Sequence, residues 1–375
     1  MPRKRALRIL LAALLIALPA GQANAAADSP ARRAACAYSR MDLRAKIGQI
    51  FMVAVDGTGP TRHMATVIRA WHPGGIILFS RNVSDAASLR AMIAYLQHAS
   101  RLLLLVATDQ EGGQVARITV GLTPLPAPAY YGGLPTTRQL DLDTRAQGAG
   151  LKKLGINMNL APVVDVLDSP SSAIGDRSFG PDPLLDARLV AVAIRGYQAS
   201  GIAATAKHFL ALGSVTENAD LALPVVTASR ATLEKRDLLP MRAAVKAGVL
   251  AMMATRVSIP ALDPTGTAAY ASTTMIQGTI RRELGFKGLI ITDSLLSDAV
   301  LSGPGSTAAA LAGLRAGDDM LLLGSGGPLD EPRVAAAIAA VGESVSLGHI
   351  PLARLDDAVR HVLTLKAALG LLPRC

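Results

Sequence analysis

The chain has 375 residues, of which 50% are hydrophobic, and its 38 basic and 28 acidic side chains give a formal net charge of +10. This hydrophobic content is ample for a packed core. The basic residues are scattered, without the dense, aromatic-interleaved runs of nucleic-acid-binding proteins, which argues against nucleic acid as a partner.

Residues 1–25 have the pattern of an export signal. A basic segment precedes an apolar run at residues 9–18, and the Ala-Asn-Ala sequence at 23–25 is a small-residue cleavage site. The apolar run is too short to span a bilayer, which takes roughly 20 residues. We therefore expect residues 26–375 to be an exported mature chain, periplasmic or extracellular, with no membrane segment. Loss of the four cations of the signal lowers the net charge from +10 to +6.

Eight short apolar runs recur along the rest of the chain, with helical patterns between most of them. Continuous apolar runs are typical of strands buried on both faces of a parallel sheet, and their alternation with helices indicates right-handed βαβ units. The runs are Gln49–Val55, Gly75–Phe79, Leu102–Thr108, Ile156–Val164, Ile202–Phe209, Val249–Thr255, Gly288–Thr292 and Met320–Leu323. The predicted helices are Ala86–Ala99, Thr136–Leu154, Leu184–Ser200, Ala231–Ala247, Thr274–Leu284, Ser306–Ala316 and Arg354–Leu369.

Eight such units predict a single-domain (β/α)₈ barrel of the TIM type over residues 26–375, with an open, doubly wound sheet as the main rival. Polar residues at the ends of the runs favour the barrel, since a barrel collects the carboxyl ends of its strands around one mouth. These residues are Asp109, Asp165, Lys207, His208, Arg256 and Asp293. We expect them to converge on one pocket.

Asp293 follows the seventh run in GLIITDSLLSDAV. A carboxylate at a barrel mouth can act as a nucleophile toward an anomeric carbon. Aspartate is also favoured as a helix N-cap, and the local sequence leaves both roles open. Asp109, in ATDQEGGQVARI, is equally ambiguous.

Three cationic residues invite a similar comparison. Arg177 is either a fork-shaped donor to a ligand or half of a surface ion pair with Asp176. Lys207 ends an apolar strand, where an unpaired ammonium is costly, so a ligand or an acidic partner is expected. His208 is either a ligand contact or a hydrogen-bonded core residue. The sequence contains no HExxH, CxxC or phosphate-binding glycine loop, so we expect neither a metal nor a cofactor.

Cys36 and Cys375 lie at opposite ends of the mature chain and are too few for a disulfide scaffold or a zinc site. In an oxidising compartment they can pair, provided that the ends of the chain meet. The alternative is two free thiols.

From about Leu43 to Leu372 the sequence resembles glycoside hydrolase family 3, in its single-domain β-N-acetylglucosaminidase branch. The motifs that carry the resemblance occur in the family's order: LRAKIGQIFMVAVDGT, GGIILFSRN, DQEGGQVARI, GINMNLAPVVDV, IGDRSFGPDP, KHF, IPALDP, GFKGLIITDSL and LDDAVRHVLTLKAALGLL. The resemblance implies a (β/α)₈ barrel and a retaining, two-step mechanism on a carbohydrate substrate. We expect a monomer.

The resemblance assigns Asp293 as the nucleophile, which favours that role over the N-cap. It also implies a sugar-binding set in which Asp109 accepts hydrogen bonds from hydroxyl groups and the cationic members donate them. This set comprises Asp109, Arg117, Arg177, Lys207 and His208.

The chain departs from the family in the loop after KHF. The family has PGHG, four variable residues and then Asp-Ser-His, whose Asp-His pair is the general acid/base. Here residues 210–213 read LALG, and the Asp-Ser-His positions fall on Asn218, Ala219 and Asp220. Asp220 or Glu217 can supply the acid/base carboxylate instead, unless both are merely solvated loop charges. Arg256 also stands where the family commonly has histidine.

Two functions follow from these features. The first is an exported hydrolase that removes terminal β-linked N-acetylglucosamine from cell-wall or chitin-type fragments. The second is a catalytically impaired relative that binds amino sugars, such as peptidoglycan fragments, without turnover. The aromatic content of 3% counts mildly against a strong stacking platform for sugars in either case.

Overall fold

A computed structural model describes residues 29–375, so the export signal predicted at residues 1–25 lies outside the described residues. Eight parallel strands form one sheet, in the order β8-β1-β2-β3-β4-β5-β6-β7. The strands are β1 Phe51–Ala54, β2 Gly75–Leu78, β3 Leu105–Thr108, β4 Met158–Asn159, β5 Ala203–Phe209, β6 Ala251–Ala254, β7 Leu289–Thr292 and β8 Leu321–Leu323. A parallel bridge between Ile291 and Met320 joins β7 to β8 and closes the barrel. The predicted (β/α)₈ barrel is confirmed.

Helices surround the sheet. They are α1 Pro30–Ser39, α2 Leu43–Gln49, α3 Arg62–Trp71, α4 Ala86–Ala99, α5 Pro128–Gly132, α6 Arg138–Lys153, α7 Pro183–Ala199, α8 Arg230–Lys235, α9 Leu238–Lys246, α10 Thr274–Glu283, α11 Asp298–Leu301, α12 Ser306–Ala316, α13 Glu331–Ser346 and α14 Leu352–Ala368. Of these, α10 has π-helical hydrogen bonding. Single 3₁₀ turns occur at Ser80–Asn82, Gly175–Arg177, Leu212–Ser214 and Ala269–Ala271, and Gln110–Gly112 pairs with Val115–Ala116 in a small hairpin.

The strands have the burial that their sequences predict. Every residue of β1, β2, β3 and β7 is buried, because helices cover the outer face of the sheet and the barrel core covers the inner one. Strand β5 is also fully buried, although it contains Lys207 and His208. These two polar residues therefore need partners at the end of the barrel. No helix between residues 29 and 375 has the length and apolar character needed to cross a bilayer.

The predicted helix Ala231–Ala247 is wrong in one respect, because it is two helices, α8 and α9. Pro240 has no N–H to bond to the carbonyl of Arg236, and proline is tolerated in the first turn of a helix. The first helix therefore ends at Lys235, and the second begins at Leu238, which places Pro240 in its first turn.

The two ends of the described chain pack together. The guanidinium of Arg360, on α14, lies 4.1 Å from the ring centroid of Tyr38, on α1. The thiol of Cys375 donates to the carbonyl of Arg32 across 3.5 Å, one helical turn from Cys36. A hydrogen bond with Cys36 raises the pKa of the Cys375 thiol. The ends are therefore close in space, and the disulfide stays a prediction.

We expect the chain, once oxidised by exchange with a disulfide reagent such as oxidised glutathione, to contain a Cys36–Cys375 bond. Non-reducing peptide mapping should find the cross-linked peptide, and reduction should lower the unfolding free energy by about 2–4 kcal/mol, because the bond restricts the unfolded chain. Cys36→Ser is the control and should be insensitive to reductant. Two thiols that both react with a thiol reagent after oxidation would contradict the bond.

Candidate active site

A cavity of about 630 Å³ opens at the carboxyl ends of the strands. It is lined by the eight candidate side chains that sequence analysis singled out, namely Asp109, Arg117, Arg177, Lys207, His208, Glu217, Asp220 and Asp293. Arg256 also lines it, whereas Asp165 lies behind the wall as the partner of His208. The expected convergence on one pocket is therefore present for five of the six strand-end residues, and Asp165 is the exception.

Lys207 is held by two carboxylates. Its Nζ atom lies 2.5 Å from Asp109 Oδ1 and 2.7 Å from Glu111 Oε1. Glu111 is fully buried and also accepts a two-pronged hydrogen bond from Arg177, with Nε and Nη2 at 2.8 and 2.9 Å. The four residues form a continuous network of two acids and two cations, which offsets the cost of burying the ammonium of Lys207.

The network fixes the charge states of its members. Burial alone would raise the pKa of Glu111, but the charges of Lys207 and Arg177 outweigh it and lower the pKa to about 2. Burial alone would lower the pKa of Lys207, but the negative charges of Asp109 and Glu111 outweigh burial and raise this pKa above its ordinary value. Glu111 and Lys207 therefore both stay ionised at neutral pH, and their ion pair forms without a proton supplied by a ligand.

Glu111 was missed by the sequence analysis, although a signal for it exists. It follows Asp109 by two residues at the end of a strand, and residues two apart in an extended segment point to the same side. The interpretation of Arg177 as the ion-pair partner of Asp176 is wrong. Arg177 pairs with Glu111, and Asp176 instead accepts a hydrogen bond from Gln114 at 2.8 Å.

His208 is oriented by Asp165. The Oδ2 atom of Asp165 lies 2.8 Å from His208 Nδ1 and accepts from the His208 backbone N–H at 3.1 Å. Its second oxygen accepts from the backbone N–H of Leu212 at 2.9 Å. The carboxylate therefore sets the direction of the imidazole and fixes the start of the following loop.

Asp293 points into the cavity from the end of β7. Its carboxylate accepts from Thr255 Oγ1 at 2.8 Å and from the backbone N–H of Ser294 at 2.7 Å, and it lies 3.5 Å from Arg256 Nη2. Burial would raise its pKa, but the charges of Arg256 and His208 and these hydrogen bonds lower it below the ordinary value. Helix α11 begins only after Ser297, so the N-cap interpretation of Asp293 is wrong.

Asp220 stands at the rim of the cavity, with 64% of its side chain exposed. Its Oδ1 atom accepts from Arg256 Nη2, the same nitrogen atom that contacts Asp293. Partial burial and the negative charge of Asp293 raise the pKa of Asp220, against the opposing charge of Arg256. Glu217 lines the cavity from an exposed position on the same loop. The geometry thus favours Asp220 over Glu217 as the partner of Asp293.

Two more arginines line the cavity. Arg117 is anchored by its backbone N–H, which donates to the carbonyl of Asp109 at 3.2 Å. Arg81, which sequence analysis did not single out, pairs with Asp56 at 2.6 Å. Because both side chains face the cavity, they offer guanidinium donors to a polar ligand.

Within residues 29–375, one group of side chains lies close enough together to share a metal ion, namely Asp319, Asp357 and His361. Asp319 precedes β8, so the group lies at the opposite end of the barrel from the cavity. Arg281 and Arg354 already contact Asp319, at 2.5 and 3.2 Å. Its charge is therefore committed to two cations that a metal would have to displace.

The fold and the cavity together define a (β/α)₈ barrel whose strand ends hold an ionised carboxylate, a second carboxylate beside it and a set of fixed polar donors and acceptors. This combination suits a ligand rich in hydroxyl groups. Residues 42–365 match the family described as the glycosyl hydrolase family 3 N-terminal domain, and the chain belongs to this family. The resemblance seen in the sequence motifs is thereby confirmed.

Relatives and solved structures agree with this assignment. The chain is 33% identical over 277 residues to a beta-hexosaminidase of Nitrosomonas eutropha, covering 72% of this chain and 79% of the relative. The beta-N-acetylglucosaminidase structure from Paenibacillus sp. superposes with a TM-score of 0.85 at 34% identity, covering 88% of this chain and 63% of that one. The beta-N-acetylhexosaminidase structure from Beutenbergia cavernae gives a TM-score of 0.75 at 31% identity, covering 88% and 99%.

Replacement of Glu111 by glutamine should lower the unfolding free energy by about 3–5 kcal/mol at pH 7, because buried Lys207 and Arg177 lose a shared negative charge. The pKa of Glu111 is about 2 in the folded chain, below its ordinary value of 4.5. Its contribution is therefore complete above pH 4.5 and is lost as the pH falls toward 2. Urea denaturation between pH 3 and pH 7 should show the variant approaching the wild type in acid.

Asp141→Asn is the matched control, because Asp141 forms an exposed ion pair with Arg145 on helix α6. Such a pair contributes at most about 1 kcal/mol. Equal losses of unfolding free energy in the Glu111 and Asp141 variants would show that the buried network contributes no more to stability than an exposed ion pair.

Proposed function

We propose that the protein is a retaining β-N-acetylglucosaminidase in which Asp293 is the nucleophile and Asp220 is the general acid/base. Its substrates are cell-wall or chitin-type fragments with terminal β-linked N-acetylglucosamine, met outside the cytoplasm if residues 1–25 act as an export signal. The observation that carries the proposal is that one nitrogen atom, Arg256 Nη2, contacts both carboxylates.

This shared contact bears on the stereochemical course. Retaining glycosidases hold their two carboxyl groups about 5 Å apart, whereas inverting enzymes leave roughly 6.5–9.5 Å for a water molecule. Two oxygen atoms that contact the same nitrogen atom lie no further apart than the sum of their distances from it, which here is below the roughly 6.5 Å at which the inverting range begins. The arrangement therefore favours double displacement with retention.

The reaction has two balanced steps. In the first, Asp293 attacks the anomeric carbon, the bond to the leaving oxygen breaks, and protonated Asp220 gives its proton to that oxygen. In the second, Asp220 takes a proton from water, the resulting hydroxyl attacks the anomeric carbon, and Asp293 leaves as a carboxylate. Asp220 is protonated again at the end, so the cycle closes.

The two carboxyl groups have pKa shifts of opposite direction, as these roles require. The pKa of Asp293 is lowered, which keeps it ionised as a nucleophile, and that of Asp220 is raised, which favours the proton that an acid must carry. Environments that separate the pKa values of neighbouring carboxyl groups are typical of acid and nucleophile pairs.

The remaining candidates support sugar binding. Asp109 accepts hydrogen bonds from hydroxyl groups, while Lys207, His208 and Arg177 donate them. Because Lys207 and Arg177 are already fixed by Glu111, little side-chain freedom is lost when the sugar enters.

Asp293→Asn should lower kcat for an aryl N-acetylglucosaminide by at least about 1,000-fold, because the attacking oxygen loses its charge. A fluorinated N-acetylglucosaminyl inactivator should leave a covalent adduct on Asp293, which peptide mass spectrometry detects. Asp298→Asn, in the same cavity wall, is the control and should stay active. Equal rates for wild type and Asp293→Asn would remove the nucleophile assignment, and sugar binding without turnover would favour a binding protein.

Asp220→Asn should reduce the rate on a substrate with a poor leaving group by about 100- to 10,000-fold, because that oxygen must be protonated as it departs. An activated leaving group needs no proton, so glycosylation of the enzyme should stay close to the wild-type rate in single-turnover experiments. Glu217→Gln is the matched control on the same loop. If Glu217→Gln shows the dependence on leaving group and Asp220→Asn does not, the acid is Glu217.

A further inference from the structure

We propose that Arg256 is a positioning residue that holds the loop carrying Asp220 against Asp293. This inference rests on the function proposed above. The loop in question comprises residues 215–226, between β5 and α8, and is called here the Asp220 loop. Arg256 itself performs no proton transfer and acts through the two carboxylates that it contacts.

The guanidinium of Arg256 uses each of its nitrogen atoms. The side chain is only 3% exposed, so these contacts are made away from bulk solvent. Nε donates to the carbonyl of Ala219 at 2.9 Å and Nη1 to the carbonyl of Ser294 at 2.7 Å. Nη2 donates to Asp220 and lies 3.5 Å from Asp293.

These contacts link two segments that are not neighbours in the sheet. Ala219 and Asp220 belong to the loop after β5, Asp293 and Ser294 to the turn after β7, and Arg256 follows β6 between them. A guanidinium presents its donors in a rigid plane, so it fixes the distance and the angle between the two segments. A lysine at this position would keep the charge but not the fork.

Backbone hydrogen bonds fasten the same loop without orienting its carboxylate. Ala299 N–H donates to the carbonyl of Asp220 at 2.9 Å, and Ser258 N–H donates to the carbonyl of Pro224 at 2.9 Å. Within residues 29–375, Arg256 is the one donor to the side-chain oxygens of Asp220. With 64% of that side chain exposed, loss of Arg256 would free it to turn toward solvent.

Arg256 also sets the charge environment of both carboxylates. The groups that face Asp220 are Asp293, Arg256, His208 and Arg177, and Arg256 and His208 also face Asp293. Arg256 lowers the pKa of both carboxyl groups. Removal of its charge would raise both, so each limb of the pH–rate profile has a definite direction of change.

Two variants separate the effect of the planar guanidinium group of Arg256 from the effect of its positive charge. Arg256→Lys should keep the positions of both limbs of the kcat/KM profile but lose about 100-fold or more on a poor leaving group, because the acid is no longer held in place. Arg256→Gln should show the same loss and, in addition, move both limbs to higher pH. On an activated aryl glycoside the loss should be smaller for both variants.

Hydrogen exchange gives a readout that does not depend on activity. In Arg256→Gln the amides of residues 215–222 and of Ala299 should exchange at least about tenfold faster than in the wild type, because the loop loses its side-chain fastening. Arg230→Gln removes an arginine from surface ion pairs on α8 and should leave these amides unchanged. Urea denaturation verifies that each variant is folded.

The outcomes separate this inference from the function. If the wild type has no glycosidase activity, the proposed function fails, while faster exchange in Arg256→Gln still supports Arg256 as the fastening of the loop. If the wild type is active but both Arg256 variants keep its leaving-group dependence and its exchange rates, the inference is overturned and Asp293 and Asp220 keep their roles.

Discussion

The buried ion network around Glu111 is the interaction on which the pocket depends. Lys207 lies inside the end of the barrel, where an unpaired ammonium would cost several kcal/mol. Glu111 and Asp109 supply the opposing charge, and Arg177 donates to both oxygens of Glu111. Because all four must meet in one geometry, the network ties the end of β3 to β5 and to the 3₁₀ turn at Gly175–Arg177. This wall of the cavity is therefore held in place by ion pairs within the protein.

The two halves of the cavity differ in their charge balance. In the binding half, the positive charges of Lys207 and Arg177 match the negative charges of Asp109 and Glu111. In the half that contains Asp293, two carboxyl groups face the guanidinium of Arg256, and the imidazole of His208 is engaged by Asp165. The pKa of Asp293 is lowered and that of Asp220 is raised, so a proton taken up by the pair binds to Asp220 first. This order of protonation is the one that the roles proposed for the two carboxyl groups require.

The barrel strands could be predicted because parallel strands buried on both faces need uninterrupted apolar runs. Helix α13 was missed although it carries strong local signals, with Asp330 as N-cap and a proline in the first turn. The site is harder to predict, because its pairings are long-range. Arg177 was compared with its neighbour Asp176, yet its partner is Glu111, 66 residues away.

The same limitation applies to Asp293. Its local sequence is equally suited to an N-cap, and only the distance to α11 and the contact with Arg256 distinguish the roles. The resemblance to the family favoured the nucleophile role where the local sequence left both roles open, because the order of the short motifs is typical of one folded arrangement. It could not supply the contact between Arg256 and Asp220, because both residues lie outside those motifs.

Asp165 connects two parts of the cavity. One of its oxygens holds the imidazole of His208, and the other holds the backbone of Leu212, where the chain leaves β5. A single side chain thereby couples the two parts of the cavity to which we assign, as a proposal, substrate recognition and leaving-group departure. Loss of this carboxylate would therefore disturb the imidazole of His208 and the entry to the loop of residues 213–226 together.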